Sequence, residues 1–304
     1  MDQASKLRSA IIKKGEYSNV QGENSGLLRS KSSIKKSSRV ICVSSGKGGV
    51  GKSNFTLNTA LALRKKGFKT LIIDADLGLA NIEVLLGIKP RYTFMDIVED
   101  TQVGLSDIMV EGPLGINIIS GGAGISESAN LPIYKINRIL SVISVLEKDY
   151  DYILIDTGAG LSNSVISFAI AAGEVIVVTL PEPTAIADAY ALIKVLSKES
   201  SKDLSVVVNN VDNSKEAAIT FKKLEAVSKK FLDLDIKYLG YISSDKNIRK
   251  AVKQQEPFYI KYSACTASKN IEDISLRIAG IQKQTEKEGF AKKLSSFFSR
   301  TGRR

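Results

Sequence analysis

An apolar run, Val40–Val43, leads directly into Ser44-Ser45-Gly46-Lys47-Gly48-Gly49-Val50-Gly51-Lys52-Ser53, and a helix-forming stretch, Asn54–Lys66, follows without a gap. The segment satisfies G-x-x-x-x-G-K-[ST] at Gly46, Gly51, Lys52 and Ser53. This pattern constrains the fold tightly, because its chemistry needs a strand end, a turn of backbone amides and a helix N-terminus in that order. Glycines let N–H groups close on phosphate oxygens with no Cβ in the way. The helix start adds positive potential. The spacing places Gly46, Gly48, Gly49, Val50, Gly51, Lys52, Ser53 and Asn54 around a nucleotide such as ATP. Lys52 would reach the β- and γ-phosphates, and the Ser53 hydroxyl would ligate Mg²⁺. A glycine-rich turn that merely ends a strand is the alternative reading, and it leaves the full match unexplained.

The rest of the chain fits that frame. Apolar runs recur at Thr70–Ile73, Ile116–Ile119, Tyr152–Ile155, Val175–Thr179 and Leu204–Val208. They are continuous rather than alternating, which points to strands buried on both faces. Helical stretches lie between most of them, at Ile133–Lys148, Ser162–Ala172, Ala185–Lys198 and Lys215–Lys230, with further helices after Asp245 and near Ser268–Lys283. Strands alternating with helices predict an α/β fold with a doubly wound, mostly parallel sheet, here one P-loop NTPase domain over residues 39–285. Residues 1–38 read as a basic arm broken by Gly15, Gly22, Gly26 and a Ser/Lys run, with one short helix from Gln3 to Ile12. Residues 286–304 read as an amphipathic helix and a basic tail.

Charge follows the same division. The net charge is +11, yet residues 40–282 carry 27 charges of each sign, so the excess sits in the two ends. Such ends meet phosphates on lipid or nucleic acid, or an acidic protein, or remain solvated. The chain has no histidine, which excludes histidine-based acid–base chemistry and histidine metal sites. Cys42 and Cys265 form no C-x-x-C pair, which argues against a disulfide framework or a thiolate metal centre. No apolar run is long enough to span a bilayer and no signal peptide is evident, so a cytoplasmic protein is expected.

Acidic residues end two of the apolar runs. Leu71-Ile72-Ile73 runs into Asp74-Ala75-Asp76, and Tyr152–Ile155 runs into Asp156-Thr157-Gly158-Ala159-Gly160. Ligands bind at the carboxyl ends of strands in open α/β sheets. Carboxylates there need a partner, and Mg²⁺ with phosphate is a fitting one. The apolar strand with a terminal aspartate makes Asp156 a Mg²⁺-side residue. The glycines behind it would let the loop move with the γ-phosphate. N-capping of a helix is the alternative role for Asp74 or Asp76.

Lys47 inside the loop makes Lys-Gly-Gly-Val-Gly-Lys-Ser resemble the deviant Walker A of the ParA/MinD family. That resemblance implies an ATPase in which Lys47 reaches across a homodimer to the partner's nucleotide and stabilises developing phosphate charge, as an arginine finger does. It also implies a catalytic set of Lys47, Lys52 and Asp76, with Asp76 orienting the attacking water. Ser53, Asp74 and Asp156 would lie around Mg²⁺, Asp74 in the outer shell. Asn209, at the end of Leu204–Val208, would contact adenine; a turn asparagine is the other reading. The proline that many relatives place near the base is absent from Tyr241-Ile242-Ser243-Ser244-Asp245.

Two further segments resemble the FlhG (FleN/YlxH) family of flagellar regulators: Asp74–Asn81 and Leu180-Pro181-Glu182-Pro183-Thr184-Ala185-Ile186-Ala187-Asp188-Ala189-Tyr190. Asp2-Gln3-Ala4-Ser5-Lys6-Leu7-Arg8 is similar to that family's DQAxxLR motif. The resemblance implies that Gln3, Leu7 and Arg8 engage the FlhF-type GTPase, with Gln3 helping to position its water. Flagellar switch or C-ring proteins, or a transcription activator, would be further partners. At the other end, Phe290, Leu294, Phe297 and Phe298 share one helical face, with Lys292, Lys293 and Arg300 toward the polar side. A short basic amphipathic helix of this kind is an interfacial anchor for an anionic membrane. One copy would bind only marginally, at roughly 1 kcal/mol per basic residue. Two copies in a dimer gain by avidity. Docking of this helix on its own domain is the alternative. The aromatic face argues against DNA as the partner of the tail, and the missing cysteine pair argues against an iron–sulfur carrier. A MinD-type role in cell division stays open.

Overall fold

The computed structural model describes residues 38–76, 81–100, 102–121, 133–199 and 203–281. Eight strands form one sheet: β1 Arg39–Ser45, β2 Thr70–Ala75, β3 Met109–Glu111, β4 Asn117–Ser120, β5 Tyr152–Ala159, β6 Glu174–Thr179, β7 Asp203–Val211 and β8 Lys237–Ser243. Their order is β3-β4-β2-β5-β1-β6-β7-β8. β3 pairs with β4 antiparallel, while the remaining pairings are parallel. The helices are α1 Lys52–Lys65, α2 Asn81–Leu86, α3 Phe94–Glu99, α4 Leu105–Ile108, α5 Ile133–Asp149, α6 Asn163–Ala171, α7 Pro183–Glu199, α8 Ser214–Leu232, α9 Lys246–Gln254, α10 Phe258–Lys261 and α11 Thr266–Ala279.

The central strands are buried on both faces, as their unbroken apolar sequences require. Successive residues enter different core clusters because strand side chains alternate across the sheet. Ile41, Val43, Ile176, Val178 and Val207 join Phe55, Leu57 and Leu61 of α1 and Ile271 and Ile274 of α11. Cys42, Val175, Val177, Val206 and Val208 face the opposite way, toward Leu192 and Ile193 of α7 and Leu224 of α8. Leu71, Ile73, Ile153 and Ile155 extend that second face beneath α3, α4 and α5. Parallel pairing sends the carboxyl ends of β1, β2, β5, β6 and β7 to one edge, which gathers the motif residues there.

The six apolar runs lie in strands, except that Ile116 precedes β4. Two strands escaped the sequence reading. β3 is a three-residue edge strand. β8 has a mixed sequence interrupted by Gly240, which has φ +148° and where a Cβ would stand 2.8 Å from Ile274 Cγ1 of α11. The short helices α2, α3, α4 and α10 span at most six residues, too few to show a helical period. Within the arm, residues 1–37 lie outside the described residues, as do residues 282–304 at the other end. Gln3, Leu7, Arg8, Phe290, Leu294, Phe297 and Phe298 belong to those stretches. Ser38, the first described residue, donates from Oγ to the Glu147 carbonyl at 2.7 Å.

Candidate nucleotide and metal site

The P-loop turns between β1 and α1. Gly49 and Gly51 sit at φ +77° and +87°, a region that residues with a Cβ rarely enter. Gly51 is the N-cap of α1, and no side chain caps that end. The first amides of a 14-residue helix therefore face the loop without a protein acceptor from a cap. Gly46 presses on α7 so closely that a Cβ there would overlap the Asp188 backbone. The loop is also tied to the segment behind β5: Gly160 N donates to the Ser45 carbonyl at 2.9 Å, and Thr157 Oγ1 donates to the Val43 carbonyl at 3.1 Å.

Beneath the loop lies a charged cluster. Lys52 is 7% exposed and Asp156 is fully buried, with Lys52 Nζ 3.4 Å from Asp156 Oδ1. Thr56 Oγ1 stands 3.0 Å from the same oxygen. Burial pushes the Asp156 carboxyl up, and the Lys52 ammonium and the neighbouring Ser53 and Thr56 hydroxyls work against that. Asp156 Oδ2 is buried with no direct hydrogen-bond partner among the described residues. On the adjacent strand, Asp74 is in register with Asp156. Its carboxylate is already engaged: Oδ1 accepts from Asp76 N at 3.2 Å and Oδ2 from Ile82 N at 3.0 Å. Burial is the main cause that lifts the Asp74 carboxyl to about 7, helped by the charges of Asp156 and Asp76 and opposed by those amides.

These residues fit Mg²⁺. The unpartnered Oδ2 of Asp156 and the Ser53 hydroxyl beside it are hard oxygen donors, the type this cation takes. Among the described residues no group of three or more His, Cys, Asp or Glu stands ready for a metal. Mg²⁺ seldom uses an all-protein cage; it is bound through one or two protein oxygens plus phosphates and water. Asp74, with both oxygens on backbone amides, suits an outer position, and it takes the capping role at α2 that the sequence also allowed.

Asp76 is half-buried and accepts from Asn81 Nδ2 at 2.8 Å through Oδ2. A Cβ on Gly158 would lie 3.4 Å from its Oδ1, so the carboxylate that follows β2 sits against the last residues of β5. Lys47 is engaged elsewhere, with its side chain 39% exposed. Its Nζ meets Glu182 Oε2 at 3.1 Å and Thr184 Oγ1 at 3.2 Å, at the start of α7. Asn209 Nδ2 donates to the Val50 carbonyl at 2.7 Å. Asn54 supplies a carbonyl to Asn58 Nδ2 at 2.7 Å, a bond within α1. Gly48 has no atom within 4 Å of where its Cβ would stand.

Sequence reasoning missed Glu182, Thr184 and Thr56 as members of this site. Thr56 follows Lys52 by one helical turn, so the 3.6-residue period contained that signal. Glu182 lies 135 residues beyond Lys47, and no spacing rule connects them.

The ParA family profile, described as NUBPL iron-transfer P-loop NTPase, matches residues 36–279. The antiactivator FleN of Pseudomonas aeruginosa is 37% identical over 241 residues, covering 79% of this chain and 86% of its own. The flagellum site-determining protein YlxH of Helicobacter pylori is 34% identical over 235 residues, covering 73% and 75%. Among solved structures, the cell division protein MinD of Aquifex aeolicus is similar with a TM-score of 0.65 at 27% identity, covering 81% of this chain and 98% of that one. The septum site-determining protein MinD of Pyrococcus horikoshii, solved complexed with Mg-ADP, gives a TM-score of 0.64 at 25% identity, covering 84% and 98%.

Proposed function

The chain belongs to the ParA/MinD family of P-loop ATPases, and on that ground we propose that it is an ATP-driven switch controlling flagellar number or placement. The similarity to FleN and YlxH over more than two thirds of the chain is the observation that carries the flagellar part. The iron transfer in the matching profile's description finds no support in the thiols. Cys42 is buried within β1, and the Cys265 sulfur caps α11 by accepting from Ser268 N at 3.4 Å.

In the proposed cycle, backbone amides of the P-loop and Lys52 hold the ATP phosphates, and Ser53 and Asp156 hold Mg²⁺, with Asp74 behind them. The metal would supply charge neutralisation at the phosphates. Asp76 accepts a hydrogen bond from the attacking water and orients it toward the γ-phosphate. Lys47 leaves Glu182 and Thr184 and reaches the nucleotide of a second copy, so ATP favours the homodimer. Hydrolysis removes the γ-phosphate, and Lys47 returns to its own α7.

Residues 286–304 supply the membrane contact in this reading. Among the described residues no helix is long and apolar enough to cross a membrane. A peripheral position on the inner face of the cell membrane follows from paired amphipathic helices, because two weak anchors on one dimer bind far better than either alone. Sedimentation with anionic liposomes tests this, using the full chain and a chain ending at Glu288. Pelleting that needs both ATP and residues 289–304 supports the switch; equal pelleting with ADP, or without the tail, sinks it.

The arm supplies the second output, stimulation of the FlhF-type GTPase through Gln3, Leu7 and Arg8. A chain lacking residues 2–8 keeps its ATP turnover and loses stimulation of FlhF GTP hydrolysis. Undiminished stimulation would remove the arm from the account. Flagellar switch or C-ring proteins, or a transcription activator, are the partners proposed to read the ATP-bound dimer.

A further inference from the structure

We infer that Asn209 is a positioning residue for the phosphate end of the nucleotide, acting as a strap that ties the P-loop to the carboxyl end of β7. The inference rests on the ATP-binding reading and gives Asn209 a role at the phosphates beside the adenine contact that the family resemblance implies.

The side chain is held at both ends. Its Nδ2 donates to the Val50 carbonyl at 2.7 Å, and its Oδ1 accepts from Asn210 N at 2.8 Å. Asn210 itself adopts φ +54°, a left-handed conformation that asparagine tolerates. β6 lies between β1 and β7, so the strap reaches across one strand to the loop that follows β1. Contact there is close: a Cβ on Gly51 would overlap the Asn209 amide. Gly51, at φ +87°, is therefore required by its neighbour as well as by its own backbone.

The loop needs such support. It carries two left-handed glycines and begins a helix that no side chain caps. A loop of this kind has many conformations, and holding it in the bound one lowers the ordering cost of binding. Val50 is 2% exposed, which fixes its side chain, and the strap fixes its carbonyl. Together they orient the peptide between Val50 and Gly51, and because the N–H of a trans peptide points opposite to its carbonyl, the Gly51 N–H is the donor that the strap would hold for a phosphate. The bond to Val50 uses one of the two N–H groups on Nδ2, so the strap and a contact to the base are compatible.

Calorimetric titration of the full chain with ATP and with inorganic tripolyphosphate, both with Mg²⁺, separates the two roles. Asn209→Ala should weaken tripolyphosphate about three- to tenfold, the equivalent of one net hydrogen bond, and ATP by at least that factor. Asn209→Asp keeps the shape but sets an acceptor against the Val50 carbonyl, and should weaken both further. Loss of ATP affinity with unchanged tripolyphosphate affinity would overturn the strap in favour of the adenine contact. Unchanged affinity for both would also overturn it. If the unaltered chain binds neither ligand, the nucleotide reading fails first and takes the strap with it. Thermal melting of each variant without ligand shows whether the chain still folds, and affinity ratios are taken from folded samples.

Discussion

Asp156 and Asp74 illustrate how a strand-end carboxylate is kept for use. Both are buried at the carboxyl edge of the sheet, and burial raises both carboxyls. Lys52 stands against Asp156, while Asp74 has only backbone amides. For Asp74 the sign of the linkage is definite. Its carboxyl moves from the usual 3.8 to about 7, so between those values the folded chain holds a proton that the unfolded chain has released. Its contribution to stability is therefore greatest at low pH, falls as pH rises through that window, and levels off above about 7. Asp74→Asn should make the nucleotide-free protein less sensitive to pH across the same window, measured by urea midpoints. Parallel curves for the two proteins would contradict the burial of an ionisable group there. Motif spacing singled out Lys52 and Ser53 in the sequence, and a place at the end of an apolar run singled out Asp74, Asp76 and Asp156 as candidates. The partners of Lys47 were not legible, since they depend on how α7 meets the loop.

At the scale of elements, the P-loop is braced from three sides. α7 contacts it through the Asp188 backbone at Gly46 and through Glu182 and Thr184 at Lys47. β7 contacts it through Asn209, and the loop after β5 through Gly160. α7 begins in the Leu180–Tyr190 segment that resembles flagellar regulators, so that segment is also one that touches the loop. Gly46→Ala tests the bracing. The added methyl meets backbone rather than a flexible side chain, and overpacking of that sort costs about 1–3 kcal/mol. The expected result is at least about a tenfold loss of ATP affinity, measured by titration, with the α/β fold retained by circular dichroism. Unchanged affinity would mean that α7 yields without moving the loop. The parallel strands β1, β2, β4, β5, β6 and β7 were readable because burial on both faces writes itself as an unbroken apolar run. β3 and β8 were not, because an edge strand and a glycine-broken strand carry mixed sequences, and their pairing is set by neighbours.

For the whole molecule, charge and fold divide the labour. The neutral body holds the ATPase site, and the basic ends hold the contacts proposed for membrane and GTPase. A weak anchor and a short arm become a switch only if ATP changes how many copies act together. Lys47 is the residue that links the two. In the single chain it rests on Glu182 with both partners largely exposed, a pair of the kind that contributes little to stability and exchanges easily. The mass of the Asp76→Ala chain in solution, by sedimentation equilibrium with ATP and with ADP, tests that link most directly. The account predicts twice the chain mass with ATP, the single-chain mass with ADP, and the single-chain mass with ATP once Lys47→Ala is added. A single-chain mass for Asp76→Ala saturated with ATP, or a dimer that ignores the nucleotide and Lys47, would contradict it.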